Sequence, residues 1–171
     1  TIATNSLTLT GVVGTEDVTL STNAVFADAN KGNGKTVSLS GAALGGTAMG
    51  NYTLDTTGAP TTTANIAAKT LTIGGSFTAS NKIDDGSSSA TVATNILTLT
   101  VEVGTEDVTL TAGAVFADAN KGTGKAVSLG GSSLGGTAMS NYTLDTTGAP
   151  TTTADIAAKT LTIGGSFTAS N

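Results

Sequence analysis

Lys69-Thr70-Leu71-Thr72-Ile73 alternates hydroxyl-bearing and apolar side chains, and the same five residues return as Lys159-Thr160-Leu161-Thr162-Ile163. In an extended chain successive side chains point to opposite faces, so Leu71 and Ile73 share one face and Thr70 and Thr72 the other. That is the pattern of a strand with one buried and one solvated side. Outward from it the same alternation appears in Leu7-Thr8-Leu9-Thr10, Val18-Thr19-Leu20, Val37-Ser38-Leu39 and Tyr52-Thr53-Leu54. Turn formers separate these runs. Asn30-Lys31-Gly32-Asn33-Gly34 is expected to close a hairpin between 24–28 and 35–39, and Gly45-Gly46 and Thr57-Gly58-Ala59-Pro60 mark further breaks. Residues 42–49 tolerate helix, but the adjacent glycines limit it to one turn.

Self-similarity extends through the whole chain. Aligning 1–81 with 91–171 gives 67 identities and 14 differences, always at an offset of 90. Differences such as Ser6/Ile96, Gly11/Val101, Val12/Glu102, Thr22/Ala112, Asn33/Thr123 and Ala42/Ser132 fall in turn-like or polar stretches. The large apolar residues recur, among them Leu7, Val18, Phe26, Val37, Leu39, Tyr52, Leu54, Ile66, Leu71, Ile73 and Phe77. A packed core held under common constraint accounts for that asymmetry. Short strands at this spacing predict an all-β chain of tandem Ig-like antiparallel β-sandwich repeats of about 90 residues. Asn51-Tyr52 resembles the Tyr corner of such sandwiches, with a plain core Tyr as the alternative.

Composition narrows the function. The 171 residues include 36 Thr and 23 Gly, and only 11% are charged, so hydroxyls supply the polar surface. There is no Cys, His, Trp or Arg. Thiolate chemistry, disulfides and the usual general base near neutral pH are therefore absent. Seven Lys scattered among twelve acids, with no Arg for bidentate readout, disfavour nucleic acid as a partner. No apolar run reaches membrane-spanning length. An enzyme is not expected.

Four groups of residues offer chemistry. Asp84-Asp85-Gly86 is the densest acidic spot and a candidate Ca²⁺ site, although the D-x-D-x-D-G loop is missing and a solvated turn is the simpler expectation. Glu16-Asp17 and Glu106-Asp107 are neighbours that an extended backbone turns to opposite faces, which argues against a catalytic dyad. Lys69 or Lys159 with Asn65 or Asp155 would suit a Lys–Asn/Asp crosslink, but no acid catalyst is identifiable. Thr-x-Thr pairs such as Thr8/Thr10 and Thr70/Thr72 are either an ice-binding ladder or ordinary outward Thr.

Asn81-Lys82-Ile83-Asp84-Asp85-Gly86-Ser87-Ser88-Ser89-Ala90 resembles the N-K-x-Y-D-G-T-T-x-A stretch of the YDG-domain family, with Asp84 where the family has Tyr. Leu97-Thr98-Leu99, Gly104-Thr105-Glu106-Asp107-Val108, Phe116-Ala117-Asp118 and Asn141-Tyr142-Thr143-Leu144 fit the rest of that unit in order. The resemblance implies tandem repeats in large secreted bacterial surface proteins, haemagglutinin-like adhesins in which such repeats act as extracellular stalks. It also implies that Lys-Thr-Leu-Thr-Ile opens a unit. Residues 1–67 are then a repeat lacking its first strand, 68–157 a complete repeat, and 158–171 the opening strand of a following repeat. Two explanations stand open: a window on a longer array, or donation of Lys159, Thr160, Leu161, Thr162 and Ile163 to another copy, which would build a head-to-tail filament. The alternative function is direct binding of a surface, glycan or ice; the partners expected first are other repeats of the same protein.

Overall fold

The computed structural model describes residues 2, 5–100 and 103–171; of the divergent positions, Val101 and Glu102 lie outside them. The described chain is all-β, with no α-helix among the described residues and therefore no helix long and apolar enough to cross a membrane. It divides into two compact units, Thr1–Ala67 and Ala68–Asn171.

Among the described residues the first unit holds three strands, β1 (Thr19–Phe26), β2 (Gly32–Gly45) and β3 (Thr62–Ile66), in one antiparallel sheet of order β1-β2-β3. The expected hairpin is present, with Ala24 opposite Leu39 and Phe26 opposite Val37. Its loop is closed by Asp28, whose carboxylate accepts the Asn30 N–H at 2.8 Å and bonds the Lys35 ammonium. Residues 42–45 belong to β2, and the single helical turn falls later, at Met49–Asn51. Between them Gly46 has φ +90°, and a Cβ there would lie 2.3 Å from the Asp17 carbonyl oxygen, so only glycine fits.

The described residues of the second unit form ten strands: β4 (Lys69–Ala79), β5 (Lys82–Ile83), β6 (Ser89–Ala90), β7 (Val92–Thr100), β8 (Thr109–Thr111), β9 (Ala114–Phe116), β10 (Gly122–Ser128), β11 (Ser133–Gly135), β12 (Tyr142–Asp145) and β13 (Thr152–Ala157). They form a five-stranded sheet β5-β13-β10-β9-β6, a three-stranded sheet β12-β4-β7 and the pair β11-β8. The alternation of Leu71, Ile73 and Phe77 with Thr70, Thr72 and Thr78 sorts them as the period of two requires. Leu71, Ile73 and Phe77 are buried, and the three threonines are exposed and bond Thr143, Thr100 and Thr94 on the flanking strands. Ile73 and Phe77 of the three-stranded sheet join Phe116, Val127, Ala154 and Ile156 of the five-stranded sheet in one core cluster.

Two pairings depart from the expected antiparallel pattern. β12 runs parallel to β4, with Tyr142 opposite Lys69 and Leu144 opposite Leu71, and β13 runs parallel to β5. Parallel neighbours need long connections, and here more than sixty residues separate the partners. Two expected strands are also missing from the first unit: neither 7–10 nor 52–54 is in a strand. Their counterparts 97–100 and 142–144 are in strands because β4 lies between them and pairs with both.

Candidate functional site

In the second unit β4 is the central strand of its sheet. It pairs antiparallel with β7, Ile73 opposite Leu99 and Phe77 opposite Asn95, and parallel with β12. Its side chains fill the unit: Leu71 is fully enclosed, and Ile73 and Phe77 are each 5% exposed. Gly75 makes the close approach to β7 possible, since its φ is +81° and a Cβ would meet the Ile96 carbonyl oxygen at 2.1 Å.

Among the described residues of the first unit no strand takes the corresponding place. An open groove of about 590 Å³ lies there, between 6–10 on one side and 52–56 on the other, floored by Val18, Leu20, Leu39 and Leu44. A second hollow of about 450 Å³ is lined by Ala24, Phe26, Val37, Leu39 and Ala64. Ninety residues on, Ala114, Phe116, Val127, Leu129 and Ala154 are the residues clustered with Phe77. The first groove is thus walled by the counterparts of the strands flanking β4, and the second hollow by the counterparts of the residues around Phe77.

Polar contacts hold the groove wall. The Tyr52 hydroxyl donates to the Glu16 carboxylate and accepts the Val13 N–H at 3.0 Å. The Glu16 carboxylate beside it pushes the Tyr52 hydroxyl above its ordinary value. Tyr142 repeats the arrangement with Glu106 and, at 3.1 Å, Val103. The bond spans 39 residues, so it ties an early turn to the helical turn and differs from the short upstream bond of a Tyr corner. Asp17 braces a different loop. Its carboxylate accepts the Thr47 N–H at 2.9 Å, as Asp107 does for Thr137.

The remaining candidate residues fall elsewhere. Asp84 and Asp85 sit in the turn between β5 and β6. Asp85 accepts from the Lys82 ammonium at 2.7 Å and from the Ser87 N–H at 2.8 Å, and Asp84 accepts the Gly86 N–H at 2.9 Å. The Lys82 ammonium holds the Asp85 carboxyl far below the usual carboxylate range. Ca²⁺ takes six to eight oxygens, and among the described residues no three acidic side chains gather into a group that could hold a metal. Asn65 and Asp155 brace hairpin loops through the Gly34 and Gly124 N–H groups, each at 2.7 Å.

Lys159, Thr160, Leu161, Thr162 and Ile163 lie in no strand, and all of 158–171 is exposed. Leu161 is 88% and Phe167 93% exposed, whereas their counterparts Leu71 and Phe77 are buried. The sequence signals the segment through its identity with β4; the groove that matches it is visible only once the strands are placed.

The family model of the YDG domain matches residues 1–64 and 67–154. No curated protein and no solved structure matches the chain.

Proposed function

The chain belongs to the YDG domain family, and on that basis we propose that it is a structural repeat segment of a bacterial extracellular adhesin, a stalk that projects or links binding regions at the cell surface. The observation that carries this reading is the duplication: 67 of 81 aligned positions are identical, and the positions retained include the apolar core. A mechanical element needs many equivalent small cores more than it needs one reactive site, and the stability of such an array is close to a sum of unit and neighbour contributions. The chain's chemistry is in keeping, with no His or Cys and with Asp28, Asp17, Asp85 and Lys82 engaged in turns and loop closures. The architecture we propose for the repeat is an Ig-like sandwich in tandem, supported by the core that both larger sheets of the second unit share.

Immunogold electron microscopy of intact cells expressing the protein, with antibodies against 68–157, tests the proposal. Label standing off the envelope, at a distance that shortens when repeats are deleted, is the expected result. Label confined to the cell interior would overturn it.

A further inference from the structure

We propose that the groove of the first unit is a strand-binding site, and that its occupant is the segment 159–171 of a second copy of this chain.

Three observations converge. First, 159–171 is identical in all thirteen positions to 69–81, the stretch containing β4. Second, the groove is lined by the counterparts of the residues that hold β4: Leu9 and Leu54 correspond to Leu99 and Leu144, which lie opposite Ile73 and Leu71. Third, the two sides are complementary in kind. The segment exposes Leu161, Ile163 and Phe167, and the first unit presents half-buried Phe26, Leu39, Leu44, Tyr52 and Leu54. Its flanking segments 7–10 and 52–55 lie in no strand, and although the Leu7 and Tyr52 N–H groups bond Asn5 Oδ1 and the Met49 carbonyl, no ladder occupies the space between them.

The correspondence fixes a register. Thr160 would lie beside Thr53, as Thr70 lies beside Thr143 with the hydroxyl oxygens 3.2 Å apart. Ile163 would face Leu9, Phe167 would enter the hollow lined by Phe26 and Val37, and Gly165 would pass the Ser6 carbonyl as Gly75 passes that of Ile96. Residues 1–171 hold both the segment and the groove. The contact is heterologous, and repetition makes a linear chain of copies.

Two measurements on residues 1–171 test this. Sedimentation velocity across a concentration series should show oligomers growing with concentration. Ile163→Asp or Phe167→Asp should abolish them with circular dichroism unchanged, since both side chains are exposed. An excess of free peptide 159–171 should return the wild type to monomer. Because the chain has no Cys, designed pairs report without background. Thr160→Cys chains mixed with Thr53→Cys chains should form a disulfide dimer on oxidation, and Thr160→Cys mixed with Thr47→Cys, at an exposed site outside the groove, should not. Monomer at every concentration, oligomers that persist in Ile163→Asp and Phe167→Asp, or a Thr53→Cys/Thr160→Cys double variant that crosslinks only within one chain would each overturn the proposal.

Discussion

Residues 52–55 and Tyr142–Asp145 are the same four amino acids, yet only the second set is a strand. The same contrast separates 7–10 from 97–100. Local propensity is identical in each pair, so the difference comes from the neighbour: β4 pairs with the second set and no described strand pairs with the first. Strand formation here is a property of a fitted surface and its partner. Burial follows the same division. Phe116 is 3% and Leu129 1% exposed, while Phe26 and Leu39 are only half-buried; Ala154 is enclosed and Ala64 exposed. Leu71, Ile73 and Phe77 together bring burial of roughly 5–9 kcal/mol. That is comparable to the whole stability of a small domain, about 5–15 kcal/mol. One strand decides whether a unit of this sequence is closed or open.

Substitutions at matched positions probe this contrast. The largest expected effect is at Phe77, where Phe77→Ala should destabilise the second unit by about 3–5 kcal/mol in urea unfolding. The same substitution at Phe167 should change the stability of the monomeric chain by less than ~0.5 kcal/mol. Equal effects at the two positions would mean that 159–171 is packed within its own chain. Next, Phe116→Ala should cost about 3–5 kcal/mol and Phe26→Ala less than half as much, because the first unit already leaves that ring partly in water. Tyr142→Phe should cost about 1–3 kcal/mol, since it strips a bond from Glu106 and from the Val103 N–H in a part-buried setting. Tyr52→Phe, with the ring half-buried, should cost less.

The smallest effect is that of acid. Lys35 and Lys125 hold Asp28 and Asp118 below the usual carboxylate range by hydrogen bonds, helped by the Asn30 and Asn120 N–H groups. Folded values below the unfolded ones mean that this contribution is full above the ordinary carboxylate range, about pH 4, and is lost as pH falls through the lowered values. The Asp–Asn–Lys arrangement recurs in both units, so this contribution should fall away in both below about pH 4 in acid titration followed by circular dichroism, with Asp85 adding to the loss in the second unit. Tyr52 has the opposite sign. Its raised value means a contribution complete below about pH 10 and lost as pH rises through the folded value.

Much of this was legible in the residues. The alternation in Leu71-Thr72-Ile73 foretold which side chains face the core, and Asn30-Lys31-Gly32-Asn33-Gly34 foretold the β1–β2 hairpin. The offset of 90 matches the hydroxyl bonds of Tyr52 to Glu16 and Val13, which Tyr142 repeats with Glu106 and Val103. What could not be read was dependence on a partner. Leu7-Thr8-Leu9-Thr10 has the pattern of a strand, but a pattern states only what a segment does when a neighbour is present. The parallel course of β12 beside β4 was hidden for the same reason, because sequence spacing carries no sign of strand direction across some seventy residues. The candidate groove was hidden too: its walls are drawn from 6–10, 18–20, 39–44 and 52–60, and no short motif unites them.

Hydrogen exchange reads the role of the neighbouring strand without any substitution. Peptides beginning at Met49 and Met139 differ in mass through Gly50 and Ser140, so identical amides at 53–55 and 143–145 can be followed separately at equal intrinsic rates. In dilute monomer, exchange should be fast at 53–55 and slow at 143–145, with 53–55 becoming protected when peptide 159–171 is added. Equal protection of both sets in the monomer, or no gain on adding the peptide, would contradict a fold in which one strand closes each unit.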